Sequence, residues 1–109
     1  MGLDAAVYSD DECEAQIASV RLGNLDDITG IRMLLEERCP EAVTLLTKVV
    51  YSATHSGDFL KLEEVSRVRA ELKGVELRCG AELSAREFVS AFAPLVDLAE
   101  EHSRPIMFV

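Results

Sequence analysis

From Lys48 to Leu72 an apolar run breaks abruptly into a polar loop and then into an acid-led amphipathic segment. Val49, Val50 and Tyr51 lead into Thr54-His55-Ser56-Gly57-Asp58, after which Leu62, Val65, Arg69 and Leu72 recur at helical spacing. Thr47 to Ala53 is β-branched, aromatic and apolar on both faces, a composition that predicts an interior strand. A buried strand opening through a polar loop into a helix is a common location for functional groups. With a helix upstream as well, strand–helix–strand predicts a right-handed crossover between parallel strands.

The remaining segments supply partners for that unit. Leu3, Ala5 and Val7 alternate with Asp4, Ala6 and Tyr8, the period-two pattern of a strand. After a polar, acidic connection from Ser9 to Glu14, Ile17 to Leu22 alternates again, with Ala18, Val20 and Leu22 on one face. The two strands can form an antiparallel hairpin. Asn24 is a good N-cap, and Asp26 and Asp27 follow where carboxylates meet the positive end of a helix dipole. Leu25, Ile28, Ile31 and Leu35, widened by Leu34, give that helix its apolar face, and Cys39-Pro40 closes it. Pro40 can open a short helical turn through Leu45.

After the loop, Glu63 and Glu64 lie early in the next helix and Gly74 marks its expected end. Asp58 or Ser56 is expected to cap it, with Gly57 at positive φ. Val75 to Leu83 stays open between a helical extension and a short strand. Ser84 and Glu87 have the spacing of a capping box, and Phe88, Phe92, Leu95 and Ala99 form the buried face of the helix that follows. Pro94 predicts a kink near Ser90, or two short helices. Ile106 to Val109 reads as a final strand, because four terminal apolar residues outside a sheet would invite aggregation. The expectation is one α+β domain over residues 1–109, a small sheet of about four strands packed against about three helices.

At 109 residues such a domain can bury about two-thirds of its unfolded surface without disulfides or metal. Cys13, Cys39 and Cys79 are odd in number and never spaced Cys-x-x-Cys, which argues for reduced, structural thiols over a disulfide framework or a zinc site. No apolar run is long enough for a membrane span. The N-terminus has no signal-peptide pattern, and Met1-Gly2 fails as a myristoylation start because position six is Ala6. Cytoplasmic location is therefore the expectation. With 20 acidic residues against 11 basic, the net charge is −9. That field opposes nucleic acid and anionic membrane and suits a basic partner, although acidity also serves plain solubility.

His55, Ser56, Gly57 and Asp58 form the candidate functional loop, since they hold the residue types of a hydrolase triad. Sequence neighbours rarely converge into a triad, however, and the Gly-x-Ser-x-Gly elbow is missing. No histidine pair or Asp-x-Asp pattern recommends a metal, and no glycine-rich phosphate loop recommends a nucleotide. No cofactor is expected. Asp10, Asp11, Glu12, Glu14, Glu36 and Glu37 form a candidate acidic docking surface, set against the plainer reading of solvated acids.

Several short motifs together carry a resemblance. They are Met1-Gly2-Leu3 entering a strand, Val20-Arg21-Leu22-Gly23-Asn24 entering a helix, Tyr51-Ser52, Thr54-His55-Ser56-Gly57-Asp58, Glu71-Leu72 and Arg104-Pro105-Ile106-Met107-Phe108. In these the chain resembles bacterial proteins catalogued as the immunity protein seventy family, antidotes encoded beside polymorphic secreted toxins. Related sequences tend to carry Asp or Cys after the His-Ser pair, where this chain has Gly57-Asp58. The resemblance implies binding and occlusion of a toxin domain, not catalysis, with the shared loop as scaffold. The acidic charge extends that expectation to a basic toxin such as a nuclease. Two alternatives stay open: a small enzyme or ligand-binding protein using His55–Asp58, and a homo-oligomeric adaptor such as a homodimer.

Overall fold

The computed structural model describes residues 2–10 and 15–109, so Asp11, Glu12, Cys13 and Glu14 lie outside the described residues. Strands β1 (Gly2–Tyr8) and β2 (Gln16–Asn24) pair antiparallel, as their alternation predicts. Strand β3 (Phe59–Leu60) and strand β4 (Ile106–Phe108) complete a sheet in the order β2-β1-β4-β3. Every pairing is antiparallel. Helices α1 (Leu25–Arg38), α2 (Leu62–Cys79) and α3 (Leu83–Glu101) pack with the sheet in an α+β arrangement. Leu3, Ala5 and Val7 of β1, Leu22 of β2 and Ile106 and Phe108 of β4 enter the shared core.

Asn24 caps α1 as its sequence position indicates. Its side-chain oxygen accepts from the Asp27 amide at 2.8 Å, and the Asp27 carboxylate accepts from the Asn24 amide at 3.0 Å. Two amides that a helix start leaves orphaned are thereby satisfied. Ile28, Ile31 and Leu35 are buried, and Cys39 ends the helix by donating its amide to the Leu35 carbonyl at 2.7 Å.

The expected interior strand over Thr47–Ala53, and with it the parallel crossover, is not formed. Leu45–Val49 is instead a single π-helical turn. Ala42, Leu45, Val49, Val50 and Ala53 are buried while Val43, Thr47 and Lys48 are exposed, a helical spacing hidden under β-branched composition. A carboxylate from another element stabilises the start of this turn. The Glu71 side chain of α2 accepts from the Thr44 amide at 3.1 Å and the Leu45 amide at 2.8 Å. That cap is made by a residue far along the chain, so local propensity carries no sign of it.

Helix α2 does not stop at Gly74. Val75 and Cys79 continue the buried stripe of Val65, Val68 and Leu72, and burial outweighs the roughly 1 kcal/mol that a mid-helix glycine costs. This also resolves Val75 to Leu83, most of which is helical extension. A Cβ at Gly74 would meet nothing within 4 Å. Gly74→Ala should therefore raise stability by about 0.5–1 kcal/mol, read as a higher urea midpoint. A lower midpoint would refute the regular helix drawn there.

Helix α3 begins one residue before the expected box. Glu82 is its N-cap, and neither it nor Ser84 forms the side-chain cap foreseen for Ser84 and Glu87. The connection is too tight for one: Glu82 donates its amide to the Cys79 carbonyl at 2.9 Å, so the chain passes directly from α2 into α3 and Ser84 is already helical. Pro94 lies within an unbroken helix, so the two short helices do not occur. Its ring is on the exposed side, as is Ser90, whose carbonyl lacks the amide partner that residue 94 would otherwise supply.

Candidate functional site

The loop from His55 to Asp58 is tied to β4 through its backbone. Gly57 donates its amide to the Phe108 carbonyl at 2.7 Å, and Phe108 donates to the Asp58 carbonyl at 2.9 Å. Gly57 has φ of 99°, the conformation expected for it and one that side chains disfavour. The loop thus acts as the lead into β3, which continues the pairing with β4 at Phe59↔Met107 and Leu60↔Ile106. It does not cap α2. Lys61 is that helix's N-cap, and its amide donates to the Glu64 carboxylate at 3.0 Å, because the two strand residues separate Asp58 from the helix start.

His55 is turned inward, its side chain only 4 % exposed. Nε2–H donates to the Val49 carbonyl at 2.8 Å, which assigns the tautomer. The ring stacks on Tyr51 with centroids 4.6 Å apart and meets the edge of Phe108 at 4.5 Å. Nδ1 faces Asp58 Oδ2 at 3.5 Å, the oxygen that also accepts from the Tyr51 hydroxyl. No hydrogen bond is made at Nδ1 itself. The imidazole therefore joins the π-helical turn, the loop and β4. Its Nε2 proton is directed at Val49, not Ser56, which stays exposed. A serine–histidine hydrogen bond of the triad type is not what this loop builds.

Tyr51 and Asp58 form one wall of a groove of about 360 Å³, lined also by Thr47, Lys48, Phe59 and Glu64. The hydrogen bond to Asp58, with burial and the carboxylate's charge adding to it, pushes the Tyr51 hydroxyl up to about 12 from 10.0. A raised pKa in the folded state stabilises while the phenol is protonated. That contribution is complete below about pH 10 and is lost as pH rises through about 12. Melting temperature should fall across that interval, and Tyr51→Phe should flatten the fall. An unchanged alkaline profile in Tyr51→Phe would exclude the Asp58 bond as its origin.

The candidate acidic surface is distributed over separate elements. Asp10 follows β1, while Glu36 and Glu37 are exposed in the last turns of α1, Glu36 lying 3.9 Å from Arg32. Sequence reasoning did not find Tyr51 and Phe108 as the partners of His55. Neither had a signal in the sequence: Tyr51 and His55 meet across a non-helical loop, and Phe108 is distant in the chain. Among the described residues there is no group of three or more His, Cys, Asp or Glu side chains arranged to hold a metal, and no helix is long and apolar enough to cross a membrane. No protein-family model, curated protein or solved structure matches the chain.

Proposed function

We propose that this chain is a non-enzymatic binding protein of the immunity type, which neutralises a basic toxin domain by covering its surface. The observation that carries this reading is the distribution of charge. Arg21, Arg32, Arg38, Lys48, Arg69 and Arg78 are each within ion-pair distance of a carboxylate of this same chain. Their charge is compensated locally, and the net −9 is presented by the surplus acids, among them the exposed Glu37, Glu63, Glu76, Glu87 and Glu101. A surface of that kind accelerates encounter with a cationic partner and repels polyanions. The inward commitment of His55 supports a scaffold role for the loop that the resemblance shares.

The test is co-purification of tagged protein from its native host at low salt and again at high salt. The expected result is a stoichiometric basic partner, retained at low salt and depleted at high salt, whose expression arrests growth unless this chain is present. Recovery of the protein alone in both buffers would overturn the proposal. A second reading, a small polar ligand in the Tyr51–Asp58 groove, is favoured by the polar side chains that line it, Tyr51, Asp58, Lys48 and Lys61 among them. It predicts a ligand recovered with the protein and lost in Tyr51→Phe.

A further inference from the structure

Cys39 and Cys79 come from opposite parts of the chain and meet inside the core. Cys39 ends α1 and Cys79 is the last residue of α2. Both are buried free thiols, and their Sγ atoms lie 3.6 Å apart across a sequence separation of 40 residues. A disulfide needs about 2.05 Å between sulfurs, so the two have to draw closer than their present contact to bond. At this range the two sulfurs are in direct contact, and either thiol can donate its S–H to the other. Cys39 also borders a depression of about 250 Å³, flanked by Ala42, Gly74 and the Glu41–Arg78 ion pair, whereas Cys79 does not line it. Cys39 is thus the thiol beside the depression, itself only 1 % exposed, and Cys79 is fully buried.

We infer that Cys39 and Cys79 form a reversible oxidation site, taking hydrogen peroxide as oxidant and closing into an intramolecular disulfide. Cys39 sulfur, as thiolate, attacks one peroxide oxygen. The O–O bond breaks, hydroxide leaves and takes up a proton as water, and Cys39 becomes a sulfenic acid. Cys79 sulfur then attacks the Cys39 sulfur. The S–O bond breaks, a second water departs, and the S–S bond forms, so that two thiols lose two hydrogens and one peroxide is reduced to two waters.

Burial first, and then the hydrogen bond and charge of Cys79, push the Cys39 thiol up, with Arg78 pulling it down. The charged groups facing the depression are Arg78 of α2 and the carboxylates of Glu41 and Glu71. Oxidation is consequently slow at neutral pH and accelerates as pH rises and thiolate forms. The product ties the end of α1 to the end of α2 and encloses the whole His55 loop in one covalent ring. The redox state would then set how much of the chain can open locally, without altering the exposed acids.

The experiment treats folded Cys13→Ser protein with hydrogen peroxide, followed by intact mass and peptide mapping, with a urea-unfolded sample as reactivity control. Expected are a mass loss of two hydrogens, a Cys39–Cys79 cross-linked peptide, reversal by dithiothreitol and a rise in Tm of roughly 10 °C. In a Cys79→Ala variant, Cys39 should stop at a sulfenic acid that dimedone traps. Thiols that stay unmodified when folded but react fully in urea would overturn the inference. So would sulfinic acid at Cys39 without any cross-link.

Discussion

Phe108→Ala should lower stability by about 4 kcal/mol, a large part of what holds a domain of this size together. The ring is 1 % exposed and belongs to the core cluster. Its strand sits between β1 and β3, pairing Ala5↔Phe108 on one side and Phe59↔Met107 on the other. Emptying that position removes buried apolar surface and leaves a cavity beside His55, whose ring meets the Phe108 edge at 4.5 Å. Met107→Ala is the control. Met107 is only partly buried and points to the opposite face, so its loss should cost under about 1 kcal/mol. Urea denaturation distinguishes the two, and equal midpoints would mean that β4 is not a core strand.

His55→Ala should cost about 3 kcal/mol. The Val49 carbonyl loses its donor in a buried position, at about 1–3 kcal/mol, and two aromatic contacts worth about 0.5–1.5 kcal/mol each disappear. His55→Phe should fall between wild type and alanine, because it keeps the ring contacts and leaves only the carbonyl unpaired. The double variant with Phe108→Ala should be less damaging than the sum of the singles, with a coupling of about 1 kcal/mol, since both empty one cluster. If the proposed basic partner is captured, its binding by His55→Ala should decline only in proportion to the folded fraction. A variant that folds fully yet fails to bind would move the loop from scaffold to contact surface.

Elements governed by local chemistry were legible. The Asn24 cap, the Ile28–Ile31–Leu35 stripe and the alternation of Leu3, Ala5 and Val7 all identify structures that form as read. Ile106 to Phe108 was legible from its unbroken apolar run, and the strand it forms buries Ile106 and Phe108. Failures cluster where a distant residue decides. Val49 and Val50 favour strand by composition, yet Glu71 caps the turn that contains them. Gly74 carries the mark of a helix end, but Val75 and Cys79 have a core to reach. The loop at His55 was found from its residue types, while its role was not, because Val49, Tyr51 and Phe108 give the imidazole its orientation and neither ring partner had a signal in the sequence.

The antiparallel sheet joins β1 to β4, the strand farthest from it in sequence among the described residues, with β4 also supplying the pairing partner of β3. During synthesis the β1–β2 hairpin therefore emerges with the edge of β1 that β4 later occupies still unpaired. Helices α1, α2 and α3 can gather on the growing chain, but the sheet on which they pack is completed only when β4 has left the ribosome. Nascent chains stalled short of Ile106 would then present a sticky strand edge to chaperones, an edge that closes only once β4 is available to pair.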